Sequence, residues 1–222
     1  MGGFRIDILF NAIPLLIEGL AATIIVSLSS FCMAIIVGTL VGIARAESVR
    51  AQHLLGPYVE MFRGTPLLIQ LFFIYYGLPA IGLTMNNYVA GIVGVGLNGG
   101  AYISEIVRGA LYSVEQGQKE AASALGLSKL QTMIHIILPQ SVRVALPPLV
   151  NSFSALLKDS SLVSVLAITE LTRVSQLIYT RTFRAFEVYL AVGVLYFCMI
   201  YAVSLFSRYL ERQFQIVGRY GN

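Results

Sequence analysis

Three stretches without a single charged side chain, residues 19–44, 64–104 and 188–207, constrain this 222-residue chain more than any other feature. Charged residues make up 12% of the whole and apolar ones 57%, whereas a soluble domain carries roughly 25% charge. A helix needs about 20 apolar residues to cross a bilayer, so the run 64–104 is long enough for two helices with a bend between them. Gly77, Pro79, Gly82, Asn86 and Asn87 cluster where that bend belongs, since each disfavours a continuing helix. These patterns predict an all-α integral membrane protein. The apolar stretch near the amino terminus runs for about thirty residues, well past the 7–15 of a signal-peptide core.

Hydropathy and breakers together predict five spans, at about 10–43, 59–80, 88–108, 137–158 and 187–210, within one transmembrane domain covering 1–222. Residues 109–136 form a polar loop between the third and fourth. Basic residues set the orientation, because cytoplasmic loops are enriched in them. With the amino terminus outside, Arg45, Arg50, Arg108, Lys119, Lys129, Arg143, Arg208, Arg212 and Arg219 are cytoplasmic. Arg5, Lys158, Arg173, Arg181 and Arg184 are then external, and Arg63 lies near the inner boundary. The opposite placement inverts a nine-to-five ratio, so the amino terminus is expected outside and the carboxyl terminus in the cytoplasm. The net charge of +4 is read as an adaptation to lipid headgroups and topology, with no nucleic acid as partner.

Residues 160–186 are too polar to span, yet their apolar positions recur at helical spacing, as in an amphipathic helix at the outer face or dipping into a vestibule. Glu170, Glu187, Arg173, Arg181 and Arg184 lie in it, open to gating, to docking of a delivery protein, or to a solvated face. Gly38-x-x-x-Gly42 and Gly96-x-x-x-Gly100 permit close helix approach. Cys32 and Cys198 lack metal-ligand spacing and are expected to pack in the core. The two histidines, His53 and His135, fall outside the spans, and no G-x-x-x-x-G-K-[S/T] loop occurs. An enzyme is therefore not expected, nor a metal site or a cofactor of the chain's own.

Depth along the spans suggests where a solute could sit. Asn98 is about 15 Å from the start of the third span, at 1.5 Å per residue, and Asn98-Gly99-Gly100 is a poor helical triplet placed near the midplane. Broken helices at that depth are one way transporters hold solutes. In the fourth span Asn151 reaches similar depth. Asn151, Ser154 and Lys158 follow one helical face, while Ser152 and Asp159 share a neighbouring one and Ser160 comes next. An amino acid would need a cationic or amide partner for its carboxylate, from Lys158 or a broken-helix amino end, and Asp159 for its ammonium. Arg63 and Glu105, at inner span ends, are expected to form a structural ion pair.

The polar loop carries the most specific pattern: Glu120-Ala121-Ala122, three residues, Gly126, nine residues, Ile136, one residue, Leu138-Pro139. Glu120 would sit near a helix start, Gly126 would end the helix in the left-handed conformation, and Pro139 would open the fourth span. This segment resembles the cytoplasmic loop by which permease subunits of ABC importers grip their ATPases. Arg63–Gln70 (RGTPLLIQ), Ala101–Gly109 (AYISEIVRG), Leu156–Leu162 (LLKDSSL) and Gly117-Gln118-x-Glu120 resemble the permeases for polar amino acids within that family. Asn98-Gly99-Gly100 departs from it, where small polar residues are commoner after the asparagine. The resemblance implies a type I importer permease fold with a cytoplasmic coupling helix, in which Gly117, Glu120, Ala121, Ala122 and Gly126 meet the ATPase. It also implies a multi-pass place in the cytoplasmic (inner) membrane, a second permease subunit, identical or paralogous, two ATPase subunits that bind ATP and magnesium, and an extracytoplasmic solute-binding protein. An ion-coupled carrier or channel is the alternative, though such carriers usually have more spans and intramembrane acids.

Overall fold

A computed structural model describes residues 6–213; Arg5 and Arg219, used above for orientation, lie outside them. Among the described residues every regular element is helical. The first, α1 (Ile6–Glu47), is 42 residues long and ends with Arg45 in its last turn. Ser48 caps the next helix, α2 (Val49–Gly64), by accepting from the Ala51 N–H. A break at Thr65-Pro66 leads to α3 (Leu67–Phe72), which continues as a π-helical turn to Gly77 and a 3-10 turn to Ile81. Gly82 stops it with φ +85°. Asn86 then caps α4 (Asn87–Tyr112).

A short helix, α5 (Gln116–Ala124), precedes α6 (Lys129–Thr132), a π-helical turn Met133–Ile137 and α7 (Leu138–Asp159). A 3-10 stretch, Ser160–Leu166, connects to α8 (Leu171–Thr182), and α9 (Ala185–Gln213) follows. Four of these helical stretches are long and apolar enough to cross a membrane: Asp7–Glu47, Asn87–Tyr112, Lys129–Leu166 and Ala185–Leu210. The pair Val49–Gly64 and Leu67–Ile81 raises the number to five if taken together, but it is bent by 110°. The span expected over 59–80 thus falls on two helices with a break between them, while the expected bend over 77–87 is present.

The α1–α4 pair is the most extensive helix contact, and glycine makes it possible. A Cβ on Gly38 would lie 2.7 Å from the Gly100 carbonyl oxygen, and one on Gly42 2.7 Å from that of Ser104. Backbone cannot yield to such a contact, so both positions require glycine. Around this seam Val26, Ala34, Leu71, Val95, Ile103, Leu156 and Val163 form the main core. A second cluster joins Leu16 of α1 to Leu171 and Val174 of α8 and Val188 of α9. Outward faces of α1 and α9 expose Ile36, Leu40, Phe197 and Leu205, as a lipid-facing surface does. Cys32 and Cys198 are exposed there, contrary to the expected core packing.

Pro139 lies in the first turn of α7, as expected, although the helical path also runs back from it to Lys129. The π-helical turn just before it widens the coil where the proline ring would otherwise clash. Gln140 donates to the Ile136 carbonyl at 2.9 Å there.

Candidate functional site

The break between α2 and α3 is stabilised from the side. Pro66 has no N–H, so the helical ladder of α2 ends with unsatisfied carbonyls. Thr65 Oγ1 donates to the Met61 carbonyl at 2.8 Å. Gln70 Nε2 lies 2.8 Å from the Phe62 carbonyl, 3.0 Å from that of Thr65 and 2.8 Å from Thr65 Oγ1. Asn98 Nδ2 reaches across from α4 to the Phe62 carbonyl and to Gln70 Oε1, both at 3.0 Å. Tyr58 ties α2 to α4 by donating to the Leu97 carbonyl at 2.7 Å.

A cavity of about 320 Å³ opens beside this break, within the usual range for small-molecule sites. Thr65, Pro66 and Leu67 line one side, Asn98, Gly99 and Tyr102 another, and Ser152 and Asp159 of α7 a third. Pro66 gives α3 no side-chain cap; its carbonyl accepts from the Ile69 and Gln70 N–H groups at 3.0 and 3.2 Å, so within the first turn the N–H groups of Leu67 and Leu68 are the ones that precede the helical ladder, next to the cavity. Asp159 is the one acidic group on its wall and no basic side chain joins it there.

Of the residues expected to contact a solute, Asn98, Ser152 and Asp159 converge on this cavity. The others do not line it. Ser160 is fully buried and instead joins α1, accepting from Ser27 Oγ at 3.0 Å and donating to the Leu157 carbonyl at 2.8 Å. Asn151 accepts from Ser207 of α9 at 3.3 Å. Ser154 and Lys158 share Asn151's face of α7, which is turned away, so Lys158 is not a partner for a carboxylate in the cavity. The Asn98-Gly99-Gly100 triplet is unbroken helix. Asn98 is 8% exposed and mostly serves the break one helix away. Thr65, Leu67, Gln70 and Tyr102 were missed; the Thr-Pro dipeptide followed by an isolated glutamine in an apolar run was the available signal.

The expected Arg63–Glu105 pair is replaced. Glu105 bridges Arg45 at 2.5 Å and Arg108 at 2.7 Å, one carboxylate oxygen to each. Its side of α4 faces α1, whereas Arg63 lies over the Tyr102 ring, 5.4 Å from the centroid. The triad sits where α4 leads toward α5. Beyond it Leu111, Val114 and Ile137 form a small core with Met133.

On α5, Ala122 is fully buried, while Gly117, Glu120 and Ala121 are exposed. Glu120 is mid-helix, since the helix begins at Gln116 after Glu115. Gly126 has φ +77° with open space around it. Its N–H bonds to the Ser123 carbonyl and that of Leu127 to Ala122, a Schellman closure that needs the left-handed residue. The closure leaves Leu125 80% and Leu130 69% exposed, an apolar pair beside the outward face of α5.

Glu170, expected in an external polar segment, is fully buried. It caps α8 by accepting from the Thr172 and Arg173 N–H groups at 2.8 and 2.7 Å, and Tyr196 of α9 donates to it at 3.0 Å. A solvated face is therefore excluded for this residue.

Comparison with known proteins gives a consistent picture. The family described as "Binding-protein-dependent transport system inner membrane component" matches residues 34–216. The glutamine transport system permease protein of Escherichia coli (strain K12) is 40% identical over 212 residues, 94% of this chain and 97% of that one. The L-cystine transport system permease protein of Bacillus subtilis (strain 168) is 37% identical over 202 residues, 90% and 86% of the two chains. A crystal structure of an amino acid ABC transporter with histidines superposes with a TM-score of 0.89 at 32% identity, covering 96% of this chain and all of that one. The inward-facing MetNI methionine ABC transporter shares the fold, with a TM-score of 0.78 at 20% identity over 92% and 98%. These matches remove the ion-coupled carrier or channel as an alternative. The chain has the type I ABC importer permease fold and belongs to the binding-protein-dependent transport system inner membrane components.

Proposed function

We propose that this chain is a permease subunit of an ATP-driven importer that moves polar amino acids through the cavity beside the α2–α3 break. The observation that carries this reading is the pairing of opposite polarities on facing sides of one cavity. The Leu67 and Leu68 N–H groups at the start of α3 are suited to an α-carboxylate, and Asp159 to an α-ammonium. Relatives named for glutamine and cystine transport support the substrate class.

In this reading the bent α2–α3 pair is the second of five spans, the amino terminus is outside, and α5 is the coupling helix in the cytoplasm. A separate ATPase pair binds ATP and magnesium and docks on Gly117, Glu120, Ala121, Gly126 and the exposed Leu125, with Ala122 anchoring the helix from behind. A second permease subunit completes the pathway, and an extracytoplasmic solute-binding protein delivers the amino acid. Closing of the ATPases draws the coupling helices together and reorients the cavity. Moving such an equilibrium from 1:99 to 99:1 takes about 5.5 kcal/mol of differential binding, so the docking must be rigid. Filling the cavity tests the assignment: Ser152→Phe should abolish amino-acid uptake by the reconstituted complex while its ATPases still assemble. Unchanged uptake would reject the cavity as the pathway.

A further inference from the structure

The bonds around the break determine which way two amides face. Backbone carbonyls only accept hydrogen bonds. Gln70 meets two of them, Phe62 O and Thr65 O, so its nitrogen must face the break. Its oxygen then faces Asn98, which must answer with its own nitrogen. The second hydrogen of that nitrogen goes to Phe62 O. Both Asn98 hydrogens are thereby committed to protein, and Oδ1 is the atom left for the cavity that Asn98 lines. The reverse orientation would set two amide oxygens against each other and withdraw a donor from Phe62 O.

We propose that Gln70 is a positioning residue that locks the Asn98 amide with its oxygen toward the cavity, so that the site reads side-chain N–H donors. This inference rests on the cavity being the substrate site. With Asp159 taken by the α-ammonium, Asn98 Oδ1 is the acceptor that meets the substrate side chain. A carboxamide or another N–H-bearing group satisfies it, whereas a carboxylate of the same shape is repelled by Asn98 Oδ1 and Asp159 together. Gln70 itself does not line the cavity; it acts through Asn98.

The test is equilibrium binding of radiolabelled L-glutamine and L-glutamate to the permease–ATPase complex without its solute-binding protein, whose own selectivity would mask the effect. The native complex should prefer glutamine by about tenfold or more, the scale of one hydrogen bond made or lost. Gln70→Met, or Gln70→Ala should the longer side chain prevent assembly, should reduce that ratio at least about fivefold by freeing the Asn98 amide. Asn98→Leu should reduce it similarly, and the double variant should go no lower, because both act through one group. A ratio unchanged by the Gln70 variant but collapsed in Asn98→Leu would overturn the inference and leave the cavity reading standing. No saturable binding by the native complex, or native binding by Ser152→Phe, would overturn the cavity reading and the inference with it.

Discussion

At Gly126 one backbone angle decides a whole surface. Its φ of +77° lies where a side chain strains the backbone, although no neighbouring atom lies within 4 Å of an added Cβ. The penalty of a substitution there is therefore conformational and not steric, about 1–2 kcal/mol for an ordinary residue. Asparagine tolerates this region far better than a β-branched residue. Gly126→Val should thus open the Schellman closure after α5 and lose ATPase binding in a pull-down from membranes, while Gly126→Asn retains most of it. Equal binding by both variants would show that the turn is not what the partner grips. Glu170 is a second site where a single group matters. Glu170→Ala removes the α8 cap and the Tyr196 partner together, and should lower stability by about 2 kcal/mol or more. A fall in the unfolding midpoint of the purified protein measures it.

Between elements, the strongest connection is the α1–α4 seam and the triad at its end. Glu105 holds Arg45 of α1 and Arg108 of its own helix at once, close to the root of the loop that carries α5. In the proposed mechanism a push on α5 moves α1 and α4 together only if that clamp holds. Glu105→Gln keeps the shape but removes the charge, leaving two arginines facing each other; breaking a largely buried pair this way costs about 3 kcal/mol at most here, since the triad is partly exposed. The expected outcome is a lower unfolding midpoint together with a lower ratio of amino acid imported to ATP hydrolysed. An unaltered ratio would mean that the loop drives the bundle by another route. The mistaken Arg63 pairing has a physical origin: position along a span gives depth, but which way a side chain turns around the helix axis depends on packing. Two residues at matching depth can therefore face different neighbours, as Arg63 and Glu105 do.

Across the whole molecule, what the sequence revealed was where the chain is apolar and where it must stop. Gly82 ended a helix as expected, after Gly77 and Pro79 had passed through π-helical and 3-10 turns, because the conformational demands of these residues are local. The α2–α3 break was hidden inside the apolar run, since hydropathy reports transfer into lipid and not direction. Asn98-Gly99-Gly100 misled for the opposite reason. Glycine lowers helix propensity in water, but a helix in lipid cannot give up its hydrogen bonds, and the missing side chains are used for the approach of α1. Asn98, Ser152 and Asp159, read from depth and helical face, do line one cavity; its α3 side escaped because Thr65, Pro66 and Leu67 open an apolar run whose change of direction hydropathy does not report. The proposed orientation rests on the distribution of arginine and lysine and is open to direct measurement. In a variant with Cys32 and Cys198 replaced by serine, Ser123→Cys on α5 and Phe183→Cys after α8 each place one thiol at an exposed position. With the amino terminus outside, a membrane-impermeant maleimide should label Phe183→Cys in right-side-out vesicles and Ser123→Cys only in inverted ones. The reverse pattern would put α5 beyond the reach of any cytoplasmic ATPase and remove it as the coupling helix.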